Sequence, residues 1–405
     1  MKIGFIGLGK LGLPVALAIE SKGHQVIGTD INDITLRNIR FKTLNYMEKG
    51  AEELLAKSNI EIKNLNKIVK ESDIIFVPIQ TPHDKKYEGV TRLPEEKADF
   101  NYDYLVKGIK DLNEEIEQQG KDKTVIIIST VLPGTISRLI KPILGSHLKL
   151  CYNPYFIAMG TTIDDFLNAE INLFGVDDEN AAQIAEQFYK TVNKAPFFKT
   201  TIENAELIKV AYNTFISTKI SMINTIMETC HHLPNTNVDD ITEALSLCTT
   251  RIISKKYLYG GMGDGGGCHP RDNIALRYMA EKLDLGYDLF DSIMLAREIQ
   301  AKNMANKLIQ LSKENNLPVV ILGESYKPGV SLKDGSPSIL VGYYVEQSLG
   351  KVEYDTEPKQ AVYLLGHMGK HHDYNFTEGS IVVDPWRSFT TDKKINIIHY
   401  GNTRY

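Results

Sequence analysis

Residues 2–30 read KIGFIGLGKLGLPVALAIESKGHQVIGTD, and this stretch decides the fold of the first half of the chain. The stretch Lys2–Ile6 predicts a short buried strand, residues 14–20 predict a helix, and Gln25–Thr29 predicts a second strand. Between the first strand and the helix lies Gly7-Leu8-Gly9-Lys10-Leu11-Gly12, which has the G-x-G-x-x-G spacing. The spacing alone is weak, but between a strand and a helix it indicates a βαβ unit that binds a dinucleotide.

The glycines of this motif and the acid after the second strand have separate roles. Gly7 permits the tight turn, Gly9 lets a pyrophosphate approach the backbone, and Gly12 lets the helix pack on the strand. The free N–H groups at the start of the helix attract phosphate. Asp30 can accept hydrogen bonds from the ribose hydroxyls and repels a 2′-phosphate. The sequence therefore predicts NAD, rather than NADP, as the cofactor.

Two further strands are expected at residues 73–79 and 123–128, and each is followed by a threonine. Ligands of open α/β sheets bind beyond the carboxyl ends of the strands, so Thr81 and Thr130 are candidates to line the nicotinamide. Hydroxyl groups at strand ends can equally cap the next helix. The charged, irregular residues 83–101 between these strands are interpreted as a surface excursion or flap.

Composition limits the remaining choices. A chain of 405 residues suggests two or three domains, and 42% hydrophobic with 24% charged residues is typical of a soluble globular protein. The net charge of −5 includes no basic stripe for nucleic acid, and no apolar run is long enough for a membrane. The four cysteines lack C-x-x-C spacing, so we expect neither disulfides nor a metal site, and a cytoplasmic location.

The middle of the chain is predicted to be one long helix over residues 201–229, without glycine or proline. Such a helix suggests a spine between domains or across a dimer. Lys209 and Asn213 lie four apart and so share a face, where a charge and a neutral donor suit an oxygen that becomes negative. A solvated lysine and a surface asparagine are the alternative interpretation.

A second α/β unit is expected after residue 300. The pattern predicts a helix at 301–315, a strand at 317–323, a helix opening at Ser336, and strands at 361–365 and 381–384. This part has no G-x-G-x-x-G, so it does not imply a second dinucleotide, although another nucleotide could bind at its strand ends.

Residues 260–272 read GGMGDGGGCHPRD and place one cysteine after a dense glycine run. Glycines let the backbone bend and let a ligand come close to its amides. A thiol at Cys268, beside Arg271 and Asp272, is a candidate nucleophile. The alternative is a glycine turn that ends in a small buried cysteine.

Four segments, in this order along the chain, resemble the UDP-glucose/GDP-mannose dehydrogenases. They are GLGKLG at 7–12 with Asp30, STVLPGT at 129–135, the helix with Glu206, Lys209, Asn213 and Lys219, and GGGCHPRD at 265–272. The resemblance implies an α/β protein of two Rossmann-like, doubly wound domains joined by a long central helix. It implies an NAD-binding domain at 1–200, a central helical domain with the catalytic loop at 201–300 and a nucleotide-sugar domain at 301–405. The 201–229 helix would form the core of a homodimer.

The implied reaction oxidises the C6 alcohol of a nucleotide sugar, favouring a UDP-hexose such as UDP-glucose, to a carboxylate with two NAD. By resemblance, Cys268 forms a thiohemiacetal and then a thioester, while Lys209 and Asn213 stabilise charge on the C6 oxygen. Asp272 orients water or lysine, and Thr130 lies near the nicotinamide and C6. The cofactor-binding residues are then Gly7, Gly9, Lys10, Leu11, Gly12, Asp30, Thr81, Thr130 and Arg271. The substrate-binding residues are Phe156, Lys209, Asn213, Tyr257, Leu258, Gly265 and Lys327.

The chain departs from the family pattern at several positions. Tyr155 and Met159 stand where the family usually has two glutamates, and the first is its candidate base for thioester hydrolysis. General-base assistance is worth about 10²–10⁴-fold, so this loss matters. Residues 330–334 also differ, which puts cofactor contacts there in doubt. Arg271 replaces a lysine, and His269 replaces an apolar residue beside the thiol.

These departures keep other functions open. The enzyme could release an aldehyde or hydrolyse its thioester slowly, or the chain could bind nucleotide sugars without catalysis. A β-hydroxyacid dehydrogenase shares the N-terminal motif and a Lys-x-x-x-Asn helix, but it needs neither the Cys268 loop nor the C-terminal α/β unit.

Overall fold

The computed structural model describes residues 1–249, 259–282, 284, 288–369, 371 and 373–402. The chain folds into two compact units. The first unit contains Met1–His83 and Asp99–Ala211, and the second contains Asp84–Ala98 and the chain from Tyr212 onward. The three-domain boundaries inferred from the sequence stay a prediction.

The first unit is built on a sheet with the strand order β3-β2-β1-β4-β5-β6-β7-β8. Its neighbours are parallel except β6 and β7, which are antiparallel. Its strands are β1 (Lys2–Ile6), β2 (Gln25–Thr29), β3 (Glu61–Ile62), β4 (Ile74–Val77), β5 (Lys123–Ile127), β6 (Leu148–Tyr152), β7 (Asn172–Val176) and β8 (Phe197–Thr200). The central strand β4 is apolar and buried throughout, and its neighbours β1 and β5 are apolar after their first one or two residues, because a parallel sheet is covered on both faces. This is the doubly wound architecture that the sequence predicted.

A π-helical turn at Ile136–Ile140 and a 3-10 turn at Lys141–Ile143 follow β5, and the α-helices of the first unit lie between its strands in the chain. They are α1 (Gly12–Ser21), α2 (Asp33–Arg40), α3 (Ala51–Lys57), α4 (Leu65–Glu71), α5 (Asp103–Gln119), α6 (Thr162–Leu167) and α7 (Glu179–Tyr189). The long helix α8 follows as Ile202–His232, three residues longer at its end than the predicted 201–229. It begins in the first unit and continues into the second.

The second unit contains the predicted C-terminal α/β fold. Its parallel sheet has the order β10-β9-β11-β12-β13. Its strands are β9 (Val319–Leu322), β10 (Glu353–Tyr354), β11 (Val362–Leu365), β12 (Ile381–Asp384) and β13 (Asn396–His399). Its helices after α8 are α9 (Val238–Ser246), α10 (His269–Lys282), α11 (Leu289–Asn315) and α12 (Pro337–Leu349). Helix α11 starts well before the predicted residue 301, because the Asp288 side chain caps it by accepting a hydrogen bond from the Asp291 N–H.

The segment predicted as a surface excursion is docked instead. Tyr87 is only 4% exposed and packs with Ile274 of α10 and Met294 of α11. The Leu93 N–H donates to the Glu298 carboxylate over 2.9 Å. The sequence did not predict this packing, because a single buried aromatic residue among many charged residues gives no hydrophobic periodicity.

No helix among the described residues combines the length and apolar character needed to cross a bilayer.

Candidate active site

The loop between β1 and α1 has the geometry of a phosphate cradle. Gly7 has φ +116°, a conformation that glycine adopts readily. A Cβ on Gly12 would lie 2.2 Å from the Gly7 carbonyl oxygen, so this position also requires glycine. At Gly9, by contrast, no atom of the described residues lies within 4 Å of the Cβ position. Lys10 is exposed and Leu11 is half-buried on the same loop. The backbone at Gly9 is therefore open to a ligand.

Asp30 supports this loop from the end of β2. One carboxylate oxygen accepts the Leu8 N–H over 2.8 Å, and the other accepts the Asn32 N–H over 2.8 Å. A carboxylate has about four acceptor positions, so two remain for ribose hydroxyls. The open glycine and the half-exposed acid fit a dinucleotide.

Two threonines and one glutamate organise the ends of β4 and β5. The Thr81 hydroxyl donates to the Thr130 carbonyl over 2.7 Å, so Thr81 holds the loop while Thr130 stays half-buried. Glu206 of α8 accepts the N–H groups of Gly134 and Ile136 over 2.6 and 2.8 Å. Burial raises the pKa of Glu206 to about 7. From the sequence, Glu206 was identified only as part of the family motif, and its burial was not predicted. The signal that could have indicated this burial is an acidic residue on the apolar face of a helix.

Lys209 is buried, with its Nζ 5.7 Å from the centre of the Phe156 ring. This contact joins two residues predicted to bind substrate. The distance is within the range of a cation–π interaction.

Position 155 belongs to the core of the first unit. Tyr155 is 8% exposed, and its hydroxyl lies 2.9 Å from that of Tyr189, which donates in turn to Asn153. Burial raises the pKa of Tyr155. A buried neutral phenol in this chain of hydrogen bonds is unsuited to activating water. Met159 is half-buried and has no ionisable group.

In the second unit, Cys268 directly precedes α10 and is half-buried. Its carbonyl accepts the Asp272 N–H over 2.8 Å, the first turn of the helix. Asp272 is fully buried and accepts hydrogen bonds from the Asn213 amide of α8 and from Arg271 Nε, the latter over 3.0 Å. The structure therefore brings Asn213, Asp272 and Arg271 together at the helix that begins after Cys268. Arg271, which was predicted to bind the cofactor, forms an ion pair with Asp272, which was predicted to be catalytic.

The glycine run before Cys268 is packed against the C-terminal part of the unit. A Cβ on Gly261 would lie 2.1 Å from the Trp386 ring, and one on Gly265 would lie 3.0 Å from Pro337. Gly266 approaches Tyr326, over whose ring Lys327 Nζ lies at 5.4 Å. This packing brings the predicted substrate residues Gly265 and Lys327 into one neighbourhood. The predicted substrate residues Tyr257 and Leu258 lie outside the described part of the chain.

Comparison with known families assigns the chain. A model of the NAD-binding domain of the UDP-glucose/GDP-mannose dehydrogenase family matches residues 1–193, and a model of its central domain matches residues 203–300. The chain belongs to this family of nucleotide-sugar 6-dehydrogenases. Its cofactor is NAD, as the sequence predicted.

Curated relatives carry two substrate names. The UDP-glucose 6-dehydrogenase TuaD of Bacillus subtilis is 28% identical over 350 residues, covering 84% of this chain and 72% of the relative. The GDP-mannose 6-dehydrogenase of Pseudomonas putida is 27% identical over 390 residues, covering 92% and 84%. Identity at this level does not select one sugar.

Solved structures share the fold. A UDP-glucose dehydrogenase from Pyrobaculum islandicum aligns with a TM-score of 0.81 at 22% identity, covering 99% of this chain and 98% of the other. A UDP-D-ManNAc dehydrogenase from Pyrococcus horikoshii aligns with a TM-score of 0.79 at 20% identity over the full length of both chains. The predicted Rossmann-like domains and long central helix are thus confirmed.

Proposed function

We propose that the chain catalyses the four-electron oxidation of a nucleotide sugar at C6, with a UDP-hexose such as UDP-glucose as the favoured substrate. One observation carries this proposal. Cys268 directly precedes α10, and one turn later the buried Asp272 is held by Asn213 of the long helix. A thiol, a buried acid and an amide donor are the groups that covalent aldehyde oxidation requires. The named relatives act on sugars of this class.

The protein groups have distinct roles in the proposed reaction. NAD held at the loop after β1 would supply the oxidant, and complete oxidation would consume two NAD molecules, one for the alcohol and one for the thiohemiacetal. Lys209 and the Asn213 amide stabilise negative charge on the C6 oxygen. The Cys268 thiolate adds to the aldehyde carbon, forming a C–S bond while the oxygen takes a proton. After the second oxidation, water displaces the sulfur and leaves the carboxylate.

Other residues complete the proposed site. Thr130 and Asp272 act beside C6, and the remaining contacts follow the family pattern. We assign cofactor contacts to Gly7, Gly9, Lys10, Leu11, Gly12, Asp30, Thr81, Thr130 and Arg271. We assign substrate contacts to Phe156, Lys209, Asn213, Tyr257, Leu258, Gly265 and Lys327.

A screen of NADH release tests the proposal. UDP-glucose, UDP-N-acetylhexosamines and GDP-mannose are supplied separately, with Cys268→Ser as the control. We expect two NADH per sugar acid with at least one donor, and loss of complete oxidation in Cys268→Ser. Release of no NADH with any of these sugars contradicts the proposal. Tight calorimetric binding without turnover would instead identify a nucleotide-sugar-binding protein.

Slow release of the thioester is the second candidate function, and the environment of Tyr155 favours it. Its phenol is buried and hydrogen-bonded to Tyr189, so the residue at the family's base position cannot serve as a base. Mass spectrometry of Cys268 after a single turnover separates the two candidates. A persistent acyl adduct supports slow hydrolysis, whereas a free thiol with complete turnover excludes it.

We also propose a homodimer through residues 201–229, in a cytoplasmic protein with the division 1–200, 201–300 and 301–405. Leu207, Phe215 and Met222 are about half exposed, and at roughly 100° per residue they lie within an arc of about 80°. Their apolar stripe suits a second copy of α8. Light scattering should give twice the chain mass, and Phe215→Glu with Met222→Glu should give monomers. A monomeric wild-type protein would refute the dimer.

A further inference from the structure

A buried ion pair lies in the second unit beside the glycine run. Arg297 of α11 and Asp264 of the run each have side chains only 4% exposed, with Arg297 Nε 2.7 Å from Asp264 Oδ1. Arg297 Nε also lies 3.3 Å from the Asp264 carbonyl oxygen. The pair therefore fixes both the side chain and the backbone of the run, four residues before Cys268.

The remaining donors of Arg297 hold two other loops. Nη1 donates to the Gly89 carbonyl over 2.9 Å, and Nη2 donates to the Gly335 carbonyl over 2.8 Å. Gly89 belongs to the docked segment, and Gly335 precedes α12. One planar guanidinium thus joins three loops that are far apart in sequence. Only arginine presents donors in this fixed fork.

The three loops meet at the residues that flank Cys268. A Cβ on Gly89 would lie 2.7 Å from Pro270 Cβ, and a Cβ on Gly335 would lie 2.6 Å from the Gly266 carbonyl oxygen. Gly266 and Pro270 each stand two residues from Cys268. The loops held by Arg297 therefore contact residues 266–270, the Cys268 turn, on both sides of the cysteine.

The same pair is tied to the long helix. Asp264 Oδ2 accepts the Ser217 hydroxyl of α8 over 2.8 Å, and Asn273 of α10 donates to Ser217 Oγ over 3.1 Å. Ser217 lies one turn after Asn213. A continuous set of buried hydrogen bonds thus relates the helix that carries Asn213 to the loop that carries Cys268.

We propose that Arg297 is a positioning residue that fixes the Cys268 turn relative to Asn213. This inference rests on the proposed function, because it matters for catalysis only if Cys268 is the nucleophile. The guanidinium acts through the backbone of three loops and need not touch substrate. A misplacement of about 1 Å at a reacting group can cost on the order of 10²-fold in rate.

The test compares three variants. Arg297→Lys keeps the charge but loses the fork that reaches three loops. Arg297→Met with Asp264→Leu replaces the pair by apolar groups, which often preserves stability when a single substitution does not. Arg277→Lys is the matched control, because Arg277 is also a buried arginine and its ion-pair partner at 2.6 Å, Asp291, lies on α11 and not in the glycine run.

Four quantities are measured for each variant. They are kcat and KM for the nucleotide sugar that the wild type oxidises, the rate at which iodoacetamide alkylates Cys268 without substrate, and the melting temperature. We expect kcat to fall by about 10–10²-fold in both Arg297 variants, with a much smaller change in KM. The alkylation rate should rise in both, since the turn is no longer fixed. Arg277→Lys should keep the wild-type kcat and alkylation rate.

The proposal is overturned if the double variant folds and keeps the wild-type kcat and alkylation rate, whatever the melting temperature of Arg297→Lys. The alkylation assay needs no turnover. If the wild type oxidises no nucleotide sugar, the proposed function fails, while faster alkylation in the Arg297 variants still shows that Arg297 holds the turn.

Discussion

The loop after β1 in the first unit and the glycine run before α10 in the second unit have similar compositions but different surroundings. At Gly9 no described atom lies within 4 Å of the Cβ position, whereas Cβ atoms at Gly260, Gly261 and Gly265 would meet Met227, Trp386 and Pro337. At Gly9 the first loop therefore uses glycine to leave room for a ligand. The second uses glycine mainly to let protein side chains pack against its backbone.

The two units also differ in which groups compensate the charge of a buried carboxylate. Glu206 accepts two backbone N–H groups in the first unit, and burial raises its pKa. Asp264 in the second unit is paired with the guanidinium of Arg297. A buried carboxylate without a cation costs stability when it ionises, whereas a paired one is compensated. This comparison predicts that pH acts mainly on the first unit.

The largest expected effect is the pH dependence due to Glu206. Its pKa is about 7 in the folded protein against 4.5 for the ordinary group, so the folded chain keeps a proton that the unfolded chain releases. The free energy of unfolding should therefore fall as the pH rises from 4.5 to 7, by about 3 kcal/mol in total. Urea unfolding across this range should show a smaller slope in Glu206→Gln. Glu53→Gln, at an exposed position of α3 in the same unit, should retain the slope, and an unchanged slope in Glu206→Gln would contradict the prediction.

Gly261→Ala is expected to destabilise the second unit. The new methyl group would lie 2.1 Å from the Trp386 ring, and overpacking of this kind costs about 1–3 kcal/mol. Thermal unfolding measures the loss. Gly267→Ala is the control, since no atom of the described chain lies within 4 Å of its Cβ position. Equal melting temperatures for the two variants would show that the run is not closely packed.

Gly9→Ala should leave stability unchanged and weaken NAD binding. Among the described residues nothing lies within 4 Å of its Cβ position, so folding meets no clash. The methyl group would occupy the approach of the pyrophosphate, and a penalty of about 1–3 kcal/mol corresponds to roughly 5–150-fold in Kd. Calorimetric titration with NAD measures the change. Wild-type affinity in a normally folded variant would mean that the pyrophosphate does not pass Gly9.

Sequence alone predicted the parts of the fold that local patterns determine. The strand, glycine motif and helix at the N-terminus were recognised from spacing, and α8 from its apolar period. Ser336 was correctly predicted to open a helix, where its hydroxyl accepts the Ile339 N–H. These features depend on residues that are neighbours in sequence, so a single sequence contains the signal.

The contacts that organise the candidate site were harder to predict. Arg297 meets Asp264, Gly89 and Gly335, and no local pattern joins positions so far apart. Tyr155 was recognised as a departure from the family, but its hydrogen bond to Tyr189 depends on the packing of β6 and α7. The catalytic assignments themselves stay predictions for the experiments above.

The contact between Trp386 and Gly261 has a practical consequence. The chain contains a single tryptophan, and its indole packs on the glycine run while donating to the Leu365 carbonyl over 2.8 Å. Its fluorescence therefore reports on the backbone of the glycine run at Gly261 without any label. A ligand that shifts this loop should change the emission, so stopped-flow measurements can time the movement of the loop separately from the appearance of NADH.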